Sequence, residues 1–186
     1  MYNVMLDTNI LVDFILIYSK EDKKQTIPKS LISSKNLLLK FESAKFFNIM
    51  SEWIKWELRK VIMQIRLEQK FVLSGYSHRE FGDARKEINL TQEEIELVNK
   101  AVFDIWKHST RITKDISKNE YEKIEHYTKK GFSFMDCLHI LQAKMNKCDY
   151  FVTRDKKIRE IKDLSDAFDI KIIGIKEFLD KLKKEY

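Results

Sequence analysis

An apolar run that ends on a carboxylate opens the chain and limits what it can fold into. Residues 2–6 have the composition of a buried strand, and Asp7, Thr8 and Asn9 follow directly. The apolar spacing that begins at Ile10 is typical of an amphipathic helix. Because ligands bind at the carboxyl ends of strands in open parallel α/β sheets, this order predicts that Asp7 lies at the mouth of a binding site. The simpler alternative is that Asp7, Thr8 or Asn9 only caps the helix.

The composition indicates one folded domain that is rich in helix. The chain has 186 residues, of which 44% are hydrophobic and 34% are charged, so we expect a single domain over 1–186 with a substantial core. Only four glycines and one proline are present, which favours long helices over an all-β architecture. A formal net charge of +6 mildly favours a polyanionic partner.

Cysteine content and hydropathy indicate a cytoplasmic protein. Cys137 and Cys148 are the only cysteines in the sequence, which fits a reduced cytosol better than a disulfide framework. The apolar run over 10–18 carries Asp13 and lacks a preceding basic region, so it is not expected to be a signal sequence. Because no segment has the length and apolarity of a membrane span, we expect no membrane partner.

A second strand and a long helix place a glutamate beside the predicted core. Residues 46–50 form a short apolar run, and Ser51 follows as the candidate N-cap of the helix. The buried stripe of this helix is predicted at Ile54, Leu58, Val61 and Ile65. Glu57 borders that stripe, at the end nearest the sheet. A glutamate also takes such a position when only its aliphatic stem is buried.

Two more carboxylates stand at predicted helix starts. Asp136 lies in the first turn of a helix that is apolar on nearly all sides, with Ser133 as its candidate N-cap. Asp155 comes directly after a buried-type strand at 150–152. Capping and the helix dipole would explain either acid without any chemistry. His139, one turn beyond Asp136, is expected to be a packed, hydrogen-bonded residue rather than a metal ligand.

The middle of the chain, residues 66–130, is predicted to be mostly helical and polar. Capping boxes begin at Thr91 and at Ser117, each with a glutamate three residues later. Basic and aromatic residues alternate between 66 and 86, a pattern that fits either nucleic-acid contact or a solvated helix face. The predicted nucleic-acid-binding residues are Arg66, Lys70, Arg79, Arg85, Lys86 and, outside this segment, Arg154.

In their order and spacing, the acidic segments resemble the PIN-domain nucleases of the kind found in VapC-type toxins. The matching stretches are residues 6–11, 49–58, 135–136 and 152–155, and residues 172–179 resemble the family's last strand and helix. No single motif is specific, but the combination is. Outside the match, the segment at about 66–130 would form a helical insert that is longer than is typical of the family.

The resemblance implies a three-layer α/β fold with a parallel sheet flanked by helices, and metal-dependent hydrolysis of phosphodiester bonds, usually in RNA. The catalytic and metal-binding carboxylates implied by it are Asp7, Glu57, Asp136 and Asp155. The polar residues that would support them are Thr8, Asn9, Ser51 and Thr153. Candidate partners are an RNA substrate, an antitoxin protein and a second copy of the chain in a homodimer.

Elementary chemistry agrees with this expectation. Four carboxylates in one cleft repel one another at neutral pH unless a cation lies between them. Oxygen ligands without a Cys or His cluster favour Mg²⁺ or Mn²⁺ over zinc. We therefore expect an endoribonuclease, with a toxin of a toxin–antitoxin pair as one form of it.

Two alternatives remain from other classes: a structure-specific DNA 5′-nuclease, and a non-catalytic scaffold for RNA binding or protein interaction. A phosphatase of the haloacid dehalogenase type is not expected, because it needs a second aspartate where Asn9 stands.

Overall fold

A five-stranded parallel sheet forms the centre of the protein. The computed structural model describes residues 1–77, 88–160 and 162–185. The strands are β1 (Asn3–Leu6), β2 (Phe47–Met50), β3 (Thr110–Arg111), β4 (Tyr150–Val152) and β5 (Lys171–Ile173). Their order across the sheet is β3-β2-β1-β4-β5, which puts the N-terminal strand at the centre. Leu6 is paired with Val152, so β1 and β4 end level with each other and the residues after them are neighbours.

Helices flank this sheet and join its strands. In the described ranges they are α1 (Thr8–Asp22), α2 (Ile32–Glu42), α3 (Glu52–Leu73), α4 (Gln92–Trp106), α5 (Lys118–Lys129), α6 (Phe134–Met145), α7 (Lys156–Glu160), α8 (Lys162–Phe168) and α9 (Ile175–Glu185). A short 3₁₀ turn, Lys29–Leu31, precedes α2. Val4, Met5 and Leu6 of the central strand are all fully buried, so both faces of the sheet are covered. This arrangement confirms the predicted α/β architecture.

The long helix α3 packs a broader face than its spacing predicted. Ile54 and Leu58 are buried as expected, and the next buried position is Ile62. Val61 and Ile65 are half-buried and pack against the core, so the second half of the predicted stripe is present but less deeply buried. The reason is that α3 packs against α1 and also against α4, so its buried surface is spread between two neighbours.

The segment over 66–130 contributes to the sheet as well as to the helical layers. Both predicted capping boxes are present, at Thr91 and at Ser117. Helix α4 buries Val98, Val102 and Ile105 in the main core. Strand β3 pairs with β2 at the sheet edge, which the expectation of a helical insert did not include. This strand has only two residues, both exposed, and so carries no apolar alternation.

The last third of the chain follows the predicted order with small shifts. Strand β4 has the predicted bounds, and α6 starts after Ser133 as expected. The sequence predicts the final strand over 170–175. In the structure β5 already ends at Ile173, because α9 begins at Ile175. Across the described parts of the chain, none of the helices combines the length and apolarity needed to cross a membrane.

Candidate active site

Asp7 is held at the carboxyl end of the central strand β1 by two side chains, one directly after the neighbouring strand β4 and one from α1. Its side chain is almost fully buried. It occupies the N-cap position of α1 but makes no capping hydrogen bond. Instead, the Thr153 hydroxyl and the Asn9 amide both donate to Asp7 Oδ2, each at 2.5 Å. The carboxylate therefore joins β1 to β4, which the capping alternative does not explain.

Glu57 reaches the same end of the sheet from the second turn of α3. Its side chain is half-buried, and the Thr8 hydroxyl donates to Glu57 Oε2 at 2.5 Å. Because Thr8 follows Asp7 directly, this hydrogen bond sets the glutamate beside the strand end. Glu57 is thus more than a boundary residue whose stem is buried.

Asp136 and Asp155 complete the group. Asp136 is half-buried in the first turn of α6, where its backbone N–H donates to the Ser133 hydroxyl at 3.0 Å. Asp155 follows β4, and its carboxylate accepts from the backbone N–H of Lys157 at 2.7 Å. It therefore does cap α7, as the simpler alternative proposed for it. Its own backbone N–H donates to Thr153, which also binds Asp7.

The four acids, named here the acidic cluster (Asp7, Glu57, Asp136 and Asp155), interact electrostatically. The pKa of Asp7 is raised to about 7, mainly by burial and in part by the charges of Asp136 and Glu57, while the Thr153 hydrogen bond opposes the rise. Burial also raises the pKa values of Glu57 and Asp136. The charge of Asp136 adds to the first shift and that of Asp155 adds to the second. At neutral pH, ionisation of all four carboxylates at once is therefore energetically unfavourable.

The donor chemistry of the acidic cluster fits a hard divalent cation. All four side chains offer carboxylate oxygens, the ligands that Mg²⁺ and Mn²⁺ prefer. In the described residues, no group of three or more His, Cys, Asp or Glu side chains converges closely enough to hold an ion as it stands. Asp7 and Glu57 are bound to hydroxyl and amide donors instead. The fit therefore lies in the identity and charge of the donors.

Comparison with known families agrees with this geometry. A family model described as the PIN domain matches residues 4–164, which include all four members of the acidic cluster. The chain belongs to the PIN domain family. PIN domains are generally metal-dependent nucleases. Among solved structures, the crystal structure of PAE2754 from Pyrobaculum aerophilum has a TM-score of 0.50 and 11% identity, and the match covers 98% of this chain and 96% of that chain. At this identity the likeness supports the fold alone. A search of curated proteins gives no significant match.

Among the polar residues predicted to support the carboxylates of this PIN domain, Ser51 differs from the others. Thr8, Asn9 and Thr153 each donate a hydrogen bond to a carboxylate of the acidic cluster. Ser51 is fully buried, and its hydroxyl accepts from the backbone N–H of Ile54. It therefore serves as the N-cap of α3, and its effect on Glu57 is limited to fixing the start of that helix.

His139 lies closer to the acidic cluster than the sequence indicated. It is fully buried, as predicted, and its Nδ1 lies 3.5 Å from Glu57 Oε2. Neither ring nitrogen has a hydrogen-bond partner in the described part of the chain, so the expected hydrogen bond was wrong. Burial lowers the pKa of His139 to about 3, which keeps the ring neutral at physiological pH. Helical spacing placed it near Asp136, but its contact with α3 had no local signal.

The predicted nucleic-acid-binding residues between 66 and 86 divide into three groups. Arg66 is exposed on α3. Lys70 instead binds Glu94 at 2.8 Å and the backbone carbonyl of Asn89, which joins α3 to the start of α4. Arg79, Arg85 and Lys86 lie outside the described residues.

Arg154 is bound to a buried acid that the sequence reasoning did not single out as functional. Its guanidinium lies 2.9 Å from Asp13 Oδ2, and the Ser34 hydroxyl donates to the same oxygen at 2.5 Å. Burial raises the pKa of Asp13, whereas Ser34 and Arg154 oppose the shift. Because Arg154 separates Thr153 from Asp155, this ion pair fixes the loop that carries both. An aspartate in the middle of an apolar helix was the available signal.

Proposed function

We propose that the protein is an Mg²⁺- or Mn²⁺-dependent endoribonuclease that uses the acidic cluster to hydrolyse RNA phosphodiester bonds. The observation that carries the proposal is the mutual effect of the carboxylates: Asp7, Glu57 and Asp136 each have a raised pKa, and each is raised in part by another carboxylate of the cluster. A divalent cation would relieve this repulsion.

Asp7, Glu57 and Asp136 are the residues that would hold the cation, with Asp155 beside Asp136. When bound, such an ion polarises the phosphoryl oxygen and makes its bound water more acidic. The hydroxyls of Thr8 and Thr153 orient the carboxylates of Glu57 and Asp7. Cys137 is the neighbour of Asp136 in the chain, and burial raises the pKa of its thiol to about 11. Cys137 therefore does not supply a thiolate at neutral pH.

A substrate panel tests the proposal. The purified protein would be incubated with single-stranded RNA, single-stranded DNA and a branched DNA flap, each with Mg²⁺, with Mn²⁺ and with EDTA. We expect internal cleavage of RNA that requires the metal. Cleavage of the flap alone would instead favour the DNA 5′-nuclease. No metal-dependent cleavage of any substrate would favour the non-catalytic scaffold.

Two aspartate variants make this test specific to the site. Asp136→Asn should lose the cleavage while keeping the circular dichroism spectrum. Asp169→Asn is the matched control. Asp169 is exposed, precedes β5 at the opposite end of the sheet, and has a positive φ of 48° that asparagine tolerates. Equal activity in the two variants would show that the cleavage comes from another site or from a contaminating nuclease.

The proposal extends to a toxin of a toxin–antitoxin pair, which rests on the likeness of the acidic segments to VapC-type toxins. Induced expression should then arrest growth, and co-expression of a small protein encoded next to this gene should relieve the arrest by binding. Growth that continues with active protein present would remove the toxin role and leave the nuclease intact. Analytical ultracentrifugation of the isolated chain would show whether it forms the proposed homodimer.

A further inference from the structure

A groove with two exposed tryptophans opens beside the acidic cluster. Its volume is about 610 Å³, and the residues that matter here are Trp53, Trp56, Glu57, Lys60, Met63 and Met135. Glu57 belongs to the acidic cluster, and Met135 precedes Asp136 in α6. The groove is therefore continuous with the candidate active site rather than a separate cavity.

The tryptophans of the groove do not serve the hydrophobic core. Trp56 is 67% exposed and Trp53 is 43% exposed, whereas Trp106 is only 4% exposed. The core face of α3 is formed by Ile54, Leu58 and Ile62, which point away from the groove. Leaving large apolar side chains in water gives up the stabilisation that their burial would provide. Two such residues one helical turn apart, at the edge of an active site, therefore call for a ligand.

Charge selects the class of that ligand. Lys60 lines the groove, where its positive charge acts to lower the pKa of Glu57. The Arg59 side chain also lines it, with its Nε donating to Asn99 Oδ1 at 2.8 Å, which fixes its position. Glu57 is the sole acid among the described lining residues. Cationic side chains next to uncovered aromatic rings suit a polyanion whose flat bases stack on the rings.

We propose that this groove binds unpaired bases of a single-stranded nucleic acid, with one base stacked on Trp56, a second on Trp53, and an adjoining phosphate near Lys60. The inference rests on the proposed nuclease function and narrows its substrate to single-stranded regions. A base inside a duplex has its faces covered by neighbouring bases and cannot stack on a side chain without being extruded. The segment beside the scissile phosphate must therefore be unpaired.

The rival occupant is a protein helix, since exposed apolar patches also mark protein interfaces. Lys60 and the neighbouring acidic cluster argue for a nucleic acid, because a substrate strand must pass the cluster in any case. If the groove binds bases, a nucleic-acid strand without its bases should bind more weakly than the normal strand. If the groove instead binds a protein helix, removing the bases should make no difference, and this contrast supplies the test.

Tryptophan fluorescence measures the binding directly and needs no cleavage. A single-stranded RNA of about eight nucleotides would be titrated into the protein in EDTA, in parallel with the same strand lacking its bases and with a hairpin of equal charge. We expect quenching by the single strand, and much weaker binding of the abasic strand and the hairpin. Trp56→Ala should weaken binding of the normal strand by about 5- to 150-fold, the range expected for loss of one stacked base.

Two further variants complete the design. Trp56→Phe should retain most of the affinity because a ring remains. Phe47→Ala is the matched control, because Phe47 is 51% exposed at the start of β2, at the opposite end of the sheet. It should bind the single strand as the wild type does.

Equal affinity for the normal and abasic strands, or an unchanged affinity in Trp56→Ala, would overturn the stacking proposal. An altered oligomeric state in Trp56→Ala with unchanged RNA affinity would assign the groove to a protein interface. Failure of the nuclease proposal looks different: binding would still depend on the bases, but adding metal would produce no cleavage.

Discussion

Replacement of Asp7 by asparagine should stabilise the metal-free protein, and the gain should depend on pH. Asp7 has a pKa raised from 3.8 to about 7 in the folded protein, mainly by burial. The folded state therefore binds this proton more tightly than the unfolded state does. The resulting stabilisation is complete below the unfolded pKa and is lost as the pH rises through the folded value. An asparagine carries no charge at any pH, so it removes this loss.

The raised pKa of Asp7 sets the magnitude of the gain in stability. A rise from 3.8 to about 7 corresponds, at about 1.4 kcal/mol per unit, to an upper limit of about 4 kcal/mol in the free energy of unfolding. Partial compensation by the donors from Thr153 and Asn9 reduces the observable gain. Asparagine still offers an oxygen acceptor to Thr153. We expect the free energy of unfolding of Asp7→Asn to be higher than that of the wild type by about 1–4 kcal/mol above pH 7, and only slightly higher near pH 4.

Urea denaturation in EDTA at a series of pH values between about 4 and 8 measures this difference. The wild type should lose stability over the interval, and Asp7→Asn should lose less. A variant that is less stable than the wild type by the same amount at every pH would refute the reasoning. In that case, the hydrogen bonds of the carboxylate would matter more than its buried charge.

Three further predictions concern the surroundings of the acidic cluster. Millimolar Mg²⁺ or Mn²⁺ should raise the melting temperature of the wild type and raise that of Asp136→Asn less, because a ligand that binds only the folded state stabilises it; equal shifts would point to a metal site elsewhere. Thr8→Val should cost about 1 kcal/mol of stability through loss of the hydrogen bond to Glu57 and should lower kcat more than it raises KM; an unchanged kcat would make Thr8 purely structural. Arg154→Met should destabilise the protein by about 1–3 kcal/mol, because it leaves the carboxylate of Asp13 buried without its cation. Adding Asp13→Asn to this variant should recover part of the lost stability, as measured by thermal denaturation.

Local signals carried the sequence predictions that were confirmed. The capping boxes at Thr91 and Ser117 depend on residues three apart. The bounds of β4 followed from an apolar run that ends at Val152, directly before the polar Thr153. These features are fixed by neighbours in the chain, so a sequence reveals them without knowledge of the tertiary structure.

The features that the sequence did not reveal depend on distant contacts. Thr153 and Asp7 are 146 residues apart, yet their hydrogen bond positions the central carboxylate. The contact between His139 and Glu57 likewise joins α6 to α3. The edge strand β3 is defined only by pairing with β2. The family resemblance brought the four acids together and implied Thr8, Asn9 and Thr153 as their supports, but it did not indicate which donor binds which carboxylate.

The most direct test of the central claim is the rate of RNA cleavage by Asp136→Asn. It is measured at single turnover with saturating metal and compared with the rate of Asp169→Asn. If the acidic cluster is the catalytic site, Asp136→Asn should be slower by about 100-fold or more, the loss expected when one preorganised electrostatic contact is removed, and Asp169→Asn should match the wild type. Equal rates for both variants and the wild type would contradict the account.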